Sequence, residues 1–535
     1  MTVIPSQIKT GSADFRRNRQ HYHQLIEGLH AKRQAARRGG TQKAKDRHEA
    51  AGKLLPRDRV DALLDPGSPF LELAELAGDG LNEGVPPGAG IVTGIGLVRG
   101  RACMIIANDA TVKGGTYLTM TAKKHVRAQT IAWENRLPNI TLVDSGGANL
   151  PEQAGIFPDQ GQFGSIFYQI VRQSAENIPQ IAVVHGACTA GGAYVPALCD
   201  QAVIIRGQGS MYLGGPELTF SATGEVVDRE SLGGAEMHSR VSGVTDHLAE
   251  DDRHALGMVR ELVGDLPPRP ALTRPVQAPA PPRYDPQEIY GIVSSNPRVP
   301  TDTREILARL VDDSRFAEFK ANYGETLLCG FAHINGYQVG ILANQGVLFV
   351  ESSLKAVHFI DLCCKRDIPL LFLADVTGFM VGREAERHGI AKAGAKMITA
   401  MASANVPRYK IMIGNSYGAG YMSMCARPFR PRMVFGWPNA KSALMGPDQA
   451  ATTLAMVQRQ KREREGLTWS EQEEEDFRQP VYKQFLEFSN MNNYAAQLWI
   501  DNIIDPVETR PVMGLLLDLA ARIPGEETRF GVLRM

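Results

Sequence analysis

A pair of glycines, Gly191 and Gly192, is the part of the chain best suited to chemistry. The pair follows the apolar run IAVV and Gly186, which predict a buried strand, and precedes AYVPALCDQAV, which has helical character. Glycines at a strand-to-helix turn expose consecutive backbone N–H groups, and the start of a helix favours an anion. Pro196 suits the first turn of such a helix because proline has no N–H to leave unsatisfied. The pattern predicts a turn that holds an enolate or another oxyanion, although a lone glycine pair also suits a simple turn.

The same pattern occurs a second time in the chain. The run NITLVDSGG matches LLFLADVTG about 231 positions later, and QIAVVHGACTAGGAY matches RYKIMIGNSYGAGYM about 228 positions later. An internal repeat of this size indicates two homologous domains. Ala419 and Gly420 then occupy the positions of Gly191 and Gly192, so the sequence predicts two anion-binding turns. Two such turns without a convincing catalytic dyad suit a reaction in which the substrates carry their own acid and base.

Alternating strand and helix signals organise the rest of each half. They predict helices near residues 119–135 and 163–176, strands at NITLVDSG and QIAVV, and a hairpin turn at Arg99 and Gly100. Such alternation predicts an α/β layered fold. Residues 265–286 are dense in proline and predict a semi-rigid linker between two domains, 1–270 and 271–535.

Other motifs suggest chemistries that the rest of the chain does not support. Residues 414–418 match the G-x-S-x-G of serine hydrolases, but that class needs a histidine after the serine, and the last histidine is His388. The S-x-x-K at residues 352–355 lacks the partner motifs of its class. The glycines at 88–100 lead into more strand rather than into a helix, which argues against a dinucleotide loop. Because no H-E-x-x-H, P-loop or paired His/Cys spacing occurs, we expect no metal and no nucleoside triphosphate site.

Composition narrows the class of protein further. The 535 residues exceed what one hydrophobic core holds, and 43% hydrophobic and 22% charged residues are typical of a globular protein. A formal net charge of zero argues against a general role on nucleic acid or at a membrane surface, and no run is apolar enough for a transmembrane helix. Seven dispersed cysteines and an N-terminus without a secretory signal predict a cytoplasmic location.

Long motifs of the chain resemble the carboxyltransferase β subunits of biotin-dependent acyl-CoA carboxylases. They include NDATVKGGTYLTMTAKKHVRAQ, VDSGGANLPEQAGIFPD, CTAGGAYVPAL and FLADVTGFMVGREAERHGIAKAGAKM. The resemblance extends from about Gly52 to the closing FGVLRM, and within the family the motifs are most similar to those of 3-methylcrotonyl-CoA carboxylase.

The resemblance implies two duplicated crotonase-like domains of the ClpP/crotonase superfamily and a ligase-type carboxylation in leucine degradation. It implies a homo-hexameric core in an α6β6-type complex, with acyl-CoA on the N-terminal domain and biotin on the C-terminal domain. By position, the N–H groups of Gly191 and Gly192 would hold the thioester enolate oxygen, and those of Ala419 and Gly420 the biotin ureido oxygen. Because the chain has no A-M-K-M attachment sequence, biotin would be carried by a biotin carboxylase and carrier α subunit.

The acyl group is less well defined, because the sequence departs from the methylcrotonyl pattern near Phe220 and near Tyr421 and Met422. Carboxylation of geranyl-, propionyl- or longer-chain acyl-CoA therefore stays open, as do a related biotin-dependent decarboxylase and a non-catalytic scaffold with this fold. The candidates for binding the CoA phosphates are Lys113, Lys123, Lys124 and Arg127, for each of which surface solvation is the alternative.

Overall fold

The computed structural model describes residues 1–81, 86–296, 299 and 301–533. Two compact units share the chain. The N-terminal unit comprises Ala31–Pro270 and Ala495–Leu498, and the C-terminal unit comprises Met1–His30, Ala271–Tyr494 and Trp499–Met535. The assignment of 1–270 and 271–535 to an acyl-CoA side and a biotin side stays a prediction.

The strands and helices follow one another through both units. The strands are β1 (Thr2–Val3), β2 (Phe70–Leu73), β3 (Ile91–Val98), β4 (Arg101–Asn108), β5 (Asn139–Ser145), β6 (Gln180–Thr189), β7 (Gln201–Ile205), β8 (Ser210–Tyr212), β9 (His247–Ala249), β10 (Arg315–Glu318), β11 (Leu327–Ile334), β12 (Tyr337–Asn344), β13 (Leu370–Val376), β14 (Arg408–Tyr417), β15 (Met433–Gly436), β16 (Lys441–Ala443) and β17 (Asn502–Ile503). The α-helices are α1 (Ala13–Arg37), α2 (Gln42–Ala50), α3 (Pro56–Leu63), α4 (Thr119–Asn135), α5 (Gln153–Ile156), α6 (Phe163–Ala175), α7 (Gly191–Ala197), α8 (Pro216–Thr223), α9 (Arg229–Gly233), α10 (Ala235–Met237), α11 (Asp252–Gly264), α12 (Ile289–Ile292), α13 (Thr303–Leu307), α14 (Val350–Lys365), α15 (Arg383–Arg387), α16 (Ile390–Ser403), α17 (Gly418–Ser423), α18 (Pro447–Arg464), α19 (Glu471–Ser489), α20 (Met491–Ala496) and α21 (Thr509–Ala520).

The sheet of the N-terminal unit has the order β2-β3-β4-β5-β6-β7-β9, with β8 paired to β6. The pairs β2–β3 and β3–β4 are antiparallel, and the later pairs are parallel because helices connect their strands. The predicted hairpin turn at Arg99 and Gly100 is confirmed, and both residues have positive φ (53° and 72°), as a tight hairpin requires.

Alternate residues of β6 serve two different cores of this unit. Val183 packs in a cluster with residues of α3 and α11, including Leu63 and Val259. Its neighbours Ala182 and Val184 pack on the opposite face, in a cluster with residues of α4 and α6. Because successive strand residues point to opposite faces, a strand covered by helices on both sides is apolar throughout. The layered α/β fold predicted from the sequence follows from this arrangement.

The C-terminal unit repeats this plan. Its sheet runs β1-β10-β11-β12-β13-β14-β15-β17, with β16 paired to β14, and β12, β13 and β14 are again joined through helices, α14 and α16. The register is interrupted at matching places, between Val143 and Ser145 in one unit and between Ala374 and Val376 in the other. The internal repeat in the sequence is therefore a repeat of structure.

Two local predictions need correction. The helical segment after Gly191 ends at Ala197, and residues 201–205 form β7 rather than more helix. Pro196 is the sixth residue of α7 and not part of its first turn. The parallel pairing of β7 with β6 ends the helix early, because tertiary pairing overrides local propensity.

Three further features concern the class of protein. No helix in the described ranges is long and apolar enough to cross a membrane. The seven cysteines are free thiols, five of them buried. Among the described residues, no group of three or more histidine, cysteine, aspartate or glutamate side chains could hold a metal ion.

Candidate active site: two glycine turns

The turn of the N-terminal unit lies between β6 and α7. Ala190, the residue before the helix, has φ 52° and ψ −120°, and its N–H donates to the carbonyl of Tyr212 at 3.0 Å. The N–H groups of Gly191 and Gly192 donate to no described residue, as expected at the start of a helix. Gly192 is buried, and a Cβ at Gly191 would lie 2.7 Å from the ring of Phe163. The turn therefore presents two neighbouring donors at a place that a side chain would crowd.

The turn of the C-terminal unit lies between β14 and α17. Gly420 is buried and Ala419 is exposed, and neither N–H donates to a described residue. A Cβ at Gly420 would lie 3.0 Å from a methyl carbon of Val376 and 3.2 Å from the Cα of Gly378. The start of α17 thus lies so close to the end of β13 that a side chain at position 420 would force its neighbours to move.

The two turns are equivalent position by position. Ala190 matches Gly418, and both have positive φ, 52° and 51°. The next two residues of each turn, Gly191 with Gly192 and Ala419 with Gly420, supply the open N–H groups. Positive φ at equivalent positions, followed by two open N–H groups, gives each unit one site that can stabilise a negatively charged oxygen.

An apolar cavity of about 620 Å³ lies beside the first turn. Tyr194 and Ala197 of α7 line one side, and Leu218 of α8, Leu232 and His238 line others. His238 is held in place, since Nε2 is 2.7 Å from the carbonyl oxygen of Met211 and Nδ1 is 2.8 Å from Ser242 Oγ. None of these lining residues was predicted from the sequence, because only the fold brings α7, α8 and the later segments together.

The four basic residues predicted to bind phosphate lie in different surroundings. Lys113 is exposed, and Lys123 is exposed with Nζ donating to the carbonyl of Gln497 at 2.8 Å. Arg127 is half-buried, 3.8 Å from Glu134. Lys124 is 1% exposed, and its Nζ donates to the carbonyls of Gly88 and Ile91 at 3.2 Å and 2.7 Å. Burial lowers the pKa of Lys124 to about 8. The amine is therefore part of the buried interior and not of an exposed phosphate site.

The predicted residues of the second turn lie over a buried lysine that sequence reasoning missed. Tyr421 is half-buried and Met422 is exposed. Lys410 of β14 lies beneath Tyr421, with Nζ 3.9 Å from the centre of the Tyr421 ring and 3.1 Å from the carbonyl oxygen of Tyr421. Burial lowers the pKa of Lys410 to about 7. Phe220 of α8, the remaining predicted residue, is 57% exposed.

A buried network of charged residues lies near the end of β5. Lys53 Nζ donates to Asp144 Oδ2 at 3.0 Å, and Arg59, fully buried, reaches Asp144 at 3.5 Å and Asp252 at 3.3 Å. His185 Nδ1 is 2.5 Å from Asp252 Oδ1. Burial opposes ionisation of Asp252, but the hydrogen bond to His185 and the charge of Arg59 lower its pKa below the usual range. The residues lie between positions 53 and 252 of the sequence, so no local motif could have indicated the network.

The sequence and the fold together identify the family. The carboxyl transferase domain family matches residues 47–528, so the chain belongs to that family. It is 54% identical over 514 residues to the biotin-dependent 3-methylcrotonyl-coenzyme A carboxylase beta1 subunit of Mycobacterium tuberculosis, covering 96% of this chain and 97% of the relative. It is 50% identical over 550 residues to the probable mitochondrial methylcrotonoyl-CoA carboxylase beta chain of Drosophila melanogaster, covering 100% and 95%.

A solved structure agrees with this assignment. The beta subunit of geranyl-CoA carboxylase from P. aeruginosa matches with a TM-score of 0.89 and 39% identity, covering 99% of each chain. The family and this likeness confirm the predicted carboxyltransferase class and the duplicated α/β, crotonase-like fold.

Proposed function

We propose that the chain is the carboxyltransferase subunit of a biotin-dependent acyl-CoA carboxylase that converts 3-methylcrotonyl-CoA to 3-methylglutaconyl-CoA in leucine degradation. The observation that carries this proposal is the 54% and 50% identity, over nearly the whole chain, to two β subunits named for this substrate. The geranyl-CoA subunit is similar over the same length but at 39% identity.

In this proposal each glycine turn holds one oxygen of a reactant. When bound, carboxybiotin supplies the carboxyl group, and its ureido nitrogen accepts the proton that leaves the acyl-CoA. The N–H groups of Gly191 and Gly192 donate to the thioester oxygen and stabilise the negative charge that forms there. Those of Ala419 and Gly420 donate to the ureido oxygen. The open donors at both turns and the tight space at Gly420 support this assignment.

The acyl chain occupies the apolar cavity beside α7. Its 620 Å³ and its lining of tyrosine and leucine side chains suit a short branched hydrocarbon and leave room for a longer one. Lys113, Lys123 and Arg127 contact the CoA phosphates, and Phe220 lies near the pantetheine path. Tyr421 and Met422 border the biotin ring. Lys124 is left out of the phosphate site, since its ammonium donates to two buried carbonyls.

Biotin is carried by a biotin carboxylase and carrier α subunit, and the chain forms a homo-hexameric core of an α6β6-type cytoplasmic complex. Large apolar side chains on the surface of the N-terminal unit support burial against a second copy. Leu213, Leu218, Phe220, Val226 and Val241 are 57–85% exposed, and burial against a second copy would remove these apolar side chains from water. Light scattering of the purified chain gives the number of subunits directly.

Reverse transcarboxylation tests the reaction and the substrate together. The purified chain is given free biotin and a panel of 3-methylglutaconyl-, malonyl-, methylmalonyl- and carboxygeranyl-CoA, and decarboxylated acyl-CoA is measured. We expect the highest kcat/KM with 3-methylglutaconyl-CoA. A higher value with carboxygeranyl-CoA would support the second candidate, geranyl-CoA, the substrate named for the solved relative with 39% identity. No transfer with any substrate, with or without an added α subunit, would contradict the proposal.

A further inference from the structure

Two aspartates occupy matching places in the two units. Asp144 lies near the end of β5 and Asp375 near the end of β13, each at the point where the strand register shifts. Each faces a glycine on the neighbouring strand: a Cβ at Gly186 would lie 1.9 Å from Asp144 Oδ1, and a Cβ at Gly414 would lie 2.4 Å from Asp375 Oδ1. The repeat thus gives two carboxylates with the same backbone surroundings.

The carboxylate of the N-terminal unit is paired with an ammonium group. Lys53 Nζ donates to Asp144 Oδ2 at 3.0 Å, and only 15% of the Lys53 side chain is exposed. The same Nζ would lie 2.5 Å from a Cβ at Gly186, so the ammonium fills the space next to the glycine. Arg59 adds a second positive charge at 3.5 Å.

Among the residues that the structure describes, none pairs an ammonium group with the carboxylate of the C-terminal unit. Asp375 Oδ1 accepts the N–H of Asn415 at 2.8 Å, and none of the described residues forms an ion pair with Asp375 or donates to its Oδ2. All three atoms nearest to a Cβ at Gly414 belong to Asp375 itself, where the other unit has Lys53 Nζ. Burial raises the pKa of Asp375 above its ordinary value, against the effect of the Asn415 N–H. Asp375 is half-buried, and a carboxylate that is partly removed from water without a positive partner is unfavourable.

Asp375 faces a cavity of about 590 Å³. Apolar side chains, including Val347, line part of the wall. Asn344 lines it as well, is 1% exposed, and has an amide Nδ2 without a hydrogen-bond partner. Lys441 also lines the cavity; burial lowers the pKa of its ammonium group, and the negative charge of Asp448 opposes that shift. Apart from Lys441 and Asp448, the cavity therefore offers the carboxylate of Asp375 as an acceptor, Asn344 Nδ2 as an unused donor, and an apolar surface.

We propose that this cavity binds a small organic cation whose primary ammonium group pairs with Asp375, as Lys53 pairs with Asp144 in the other unit. The apolar wall contacts the carbon stem of the ligand, and Asn344 Nδ2 donates to an oxygen where the ligand has one. A divalent metal is not the occupant, because the described residues supply no group of three ligating side chains here. This proposal does not depend on the proposed carboxyl transfer.

Titration of the purified full chain with n-butylammonium chloride tests the proposal. Calorimetry at neutral pH should give one site per chain with a Kd of roughly millimolar, as expected for a ligand of about five heavy atoms. Asp375→Asn should weaken binding at least about tenfold, because a hydrogen bond to a charged group is lost. Potassium chloride at equal ionic strength and 1-butanol should not compete. Competition by potassium would show that the site binds any small cation. Equal binding of 1-butanol would show that the cavity binds apolar molecules without regard to charge. Either result would overturn the proposal, whether or not the Asp375→Asn variant folds.

The other unit provides a matched control. Lys53→Ala removes the ammonium that pairs with Asp144, and n-butylammonium should restore part of the Tm that this variant loses. The double variant Lys53→Ala, Asp144→Asn should show no such recovery. If n-butylammonium at concentrations that saturate the wild-type chain leaves the Tm of Lys53→Ala unchanged, the equivalence of the two aspartates, and with it the ammonium assignment, is refuted.

Discussion

Ala190 is the position where a single substitution is expected to stabilise this protein. It has φ 52° and ψ −120°, whereas the equivalent residue of the other turn, with φ 51°, is Gly418. A non-glycine residue held at positive φ in a sparsely populated region of backbone conformation costs about 1–2 kcal/mol. The substitution Ala190→Gly removes that cost. It also stabilises the unfolded chain by about 0.5–1 kcal/mol, because glycine gives the unfolded backbone more conformational freedom. We therefore expect a net gain of about 0.5–1 kcal/mol in the free energy of unfolding.

Thermal unfolding followed by calorimetry measures this gain. For a unit of this size, about 1 kcal/mol corresponds to about 2–4 °C in Tm, so the transition of the N-terminal unit should move up by roughly 2 °C. A chain of two units need not unfold in one step. The unfolding transition of each unit must therefore be resolved from the other in the calorimetric scan. Gly418→Ala is the matched control: its Cβ would lie 2.8 Å from the carbonyl oxygen of Leu444, and we expect a loss of about 2–3 kcal/mol.

One pair of results would refute the reasoning. If Ala190→Gly lowers the Tm while Gly418→Ala leaves it unchanged, positive φ does not cost free energy at these turns. Reverse transcarboxylation adds a second measurement, because a more flexible backbone in Ala190→Gly positions the N–H groups of Gly191 and Gly192 less rigidly. We expect the stabilised variant to lose kcat by a few-fold while KM for acyl-CoA stays constant.

Three further variants test the site. Gly420→Val brings more side-chain atoms to a place where even a Cβ would lie 3.0 Å from Val376. The variant should lower kcat about 10²–10³-fold, while light scattering shows an unchanged oligomer. Transfer at the wild-type rate would contradict the assignment of this turn. Lys410→Met removes an amine whose pKa falls from 10.5 to about 7 on folding. Below pH 7 the amine is charged in both states and the full burial cost is present, and wild-type stability rises between about pH 7 and 10.5 because only the unfolded chain then holds the proton. The variant should therefore be more stable than wild type by about 1–4 kcal/mol at about pH 6.5, with the difference closing by about pH 10, as measured by urea unfolding; a difference independent of pH would show that Lys410 does not titrate in this range. Lys113→Ala should raise KM for acyl-CoA about threefold to tenfold without changing kcat, whereas Lys124→Met should change the unfolding free energy and leave KM as it is; a raised KM in Lys124→Met would place that amine in the phosphate site after all.

Much of the architecture could be predicted from the sequence because it depends on local and periodic signals. Apolar runs with flanking prolines located β5, β6, β13 and β14, and self-similarity at a fixed spacing showed that one plan is used twice. Ala419 and Gly420 became candidates only through that repeat, since Ala-Gly has no special signal of its own. The helix after Gly191 was predicted too long because its end depends on the pairing of β7 with β6.

The sequence by itself determined the family, the duplicated α/β plan and the two turns whose N–H groups are open. The tertiary structure decided which charged side chains are buried and which of them are paired with an opposite charge. Lys123 and Lys124 are neighbours in sequence, yet one amine is exposed and the other lies between two buried carbonyls. Asp144 and Asp375 hold the same place in the repeat, yet among the described residues only Asp144 forms an ion pair with a lysine. Burial and charge pairing are set by residues distant in sequence that folding brings together, and for that reason local patterns do not encode them.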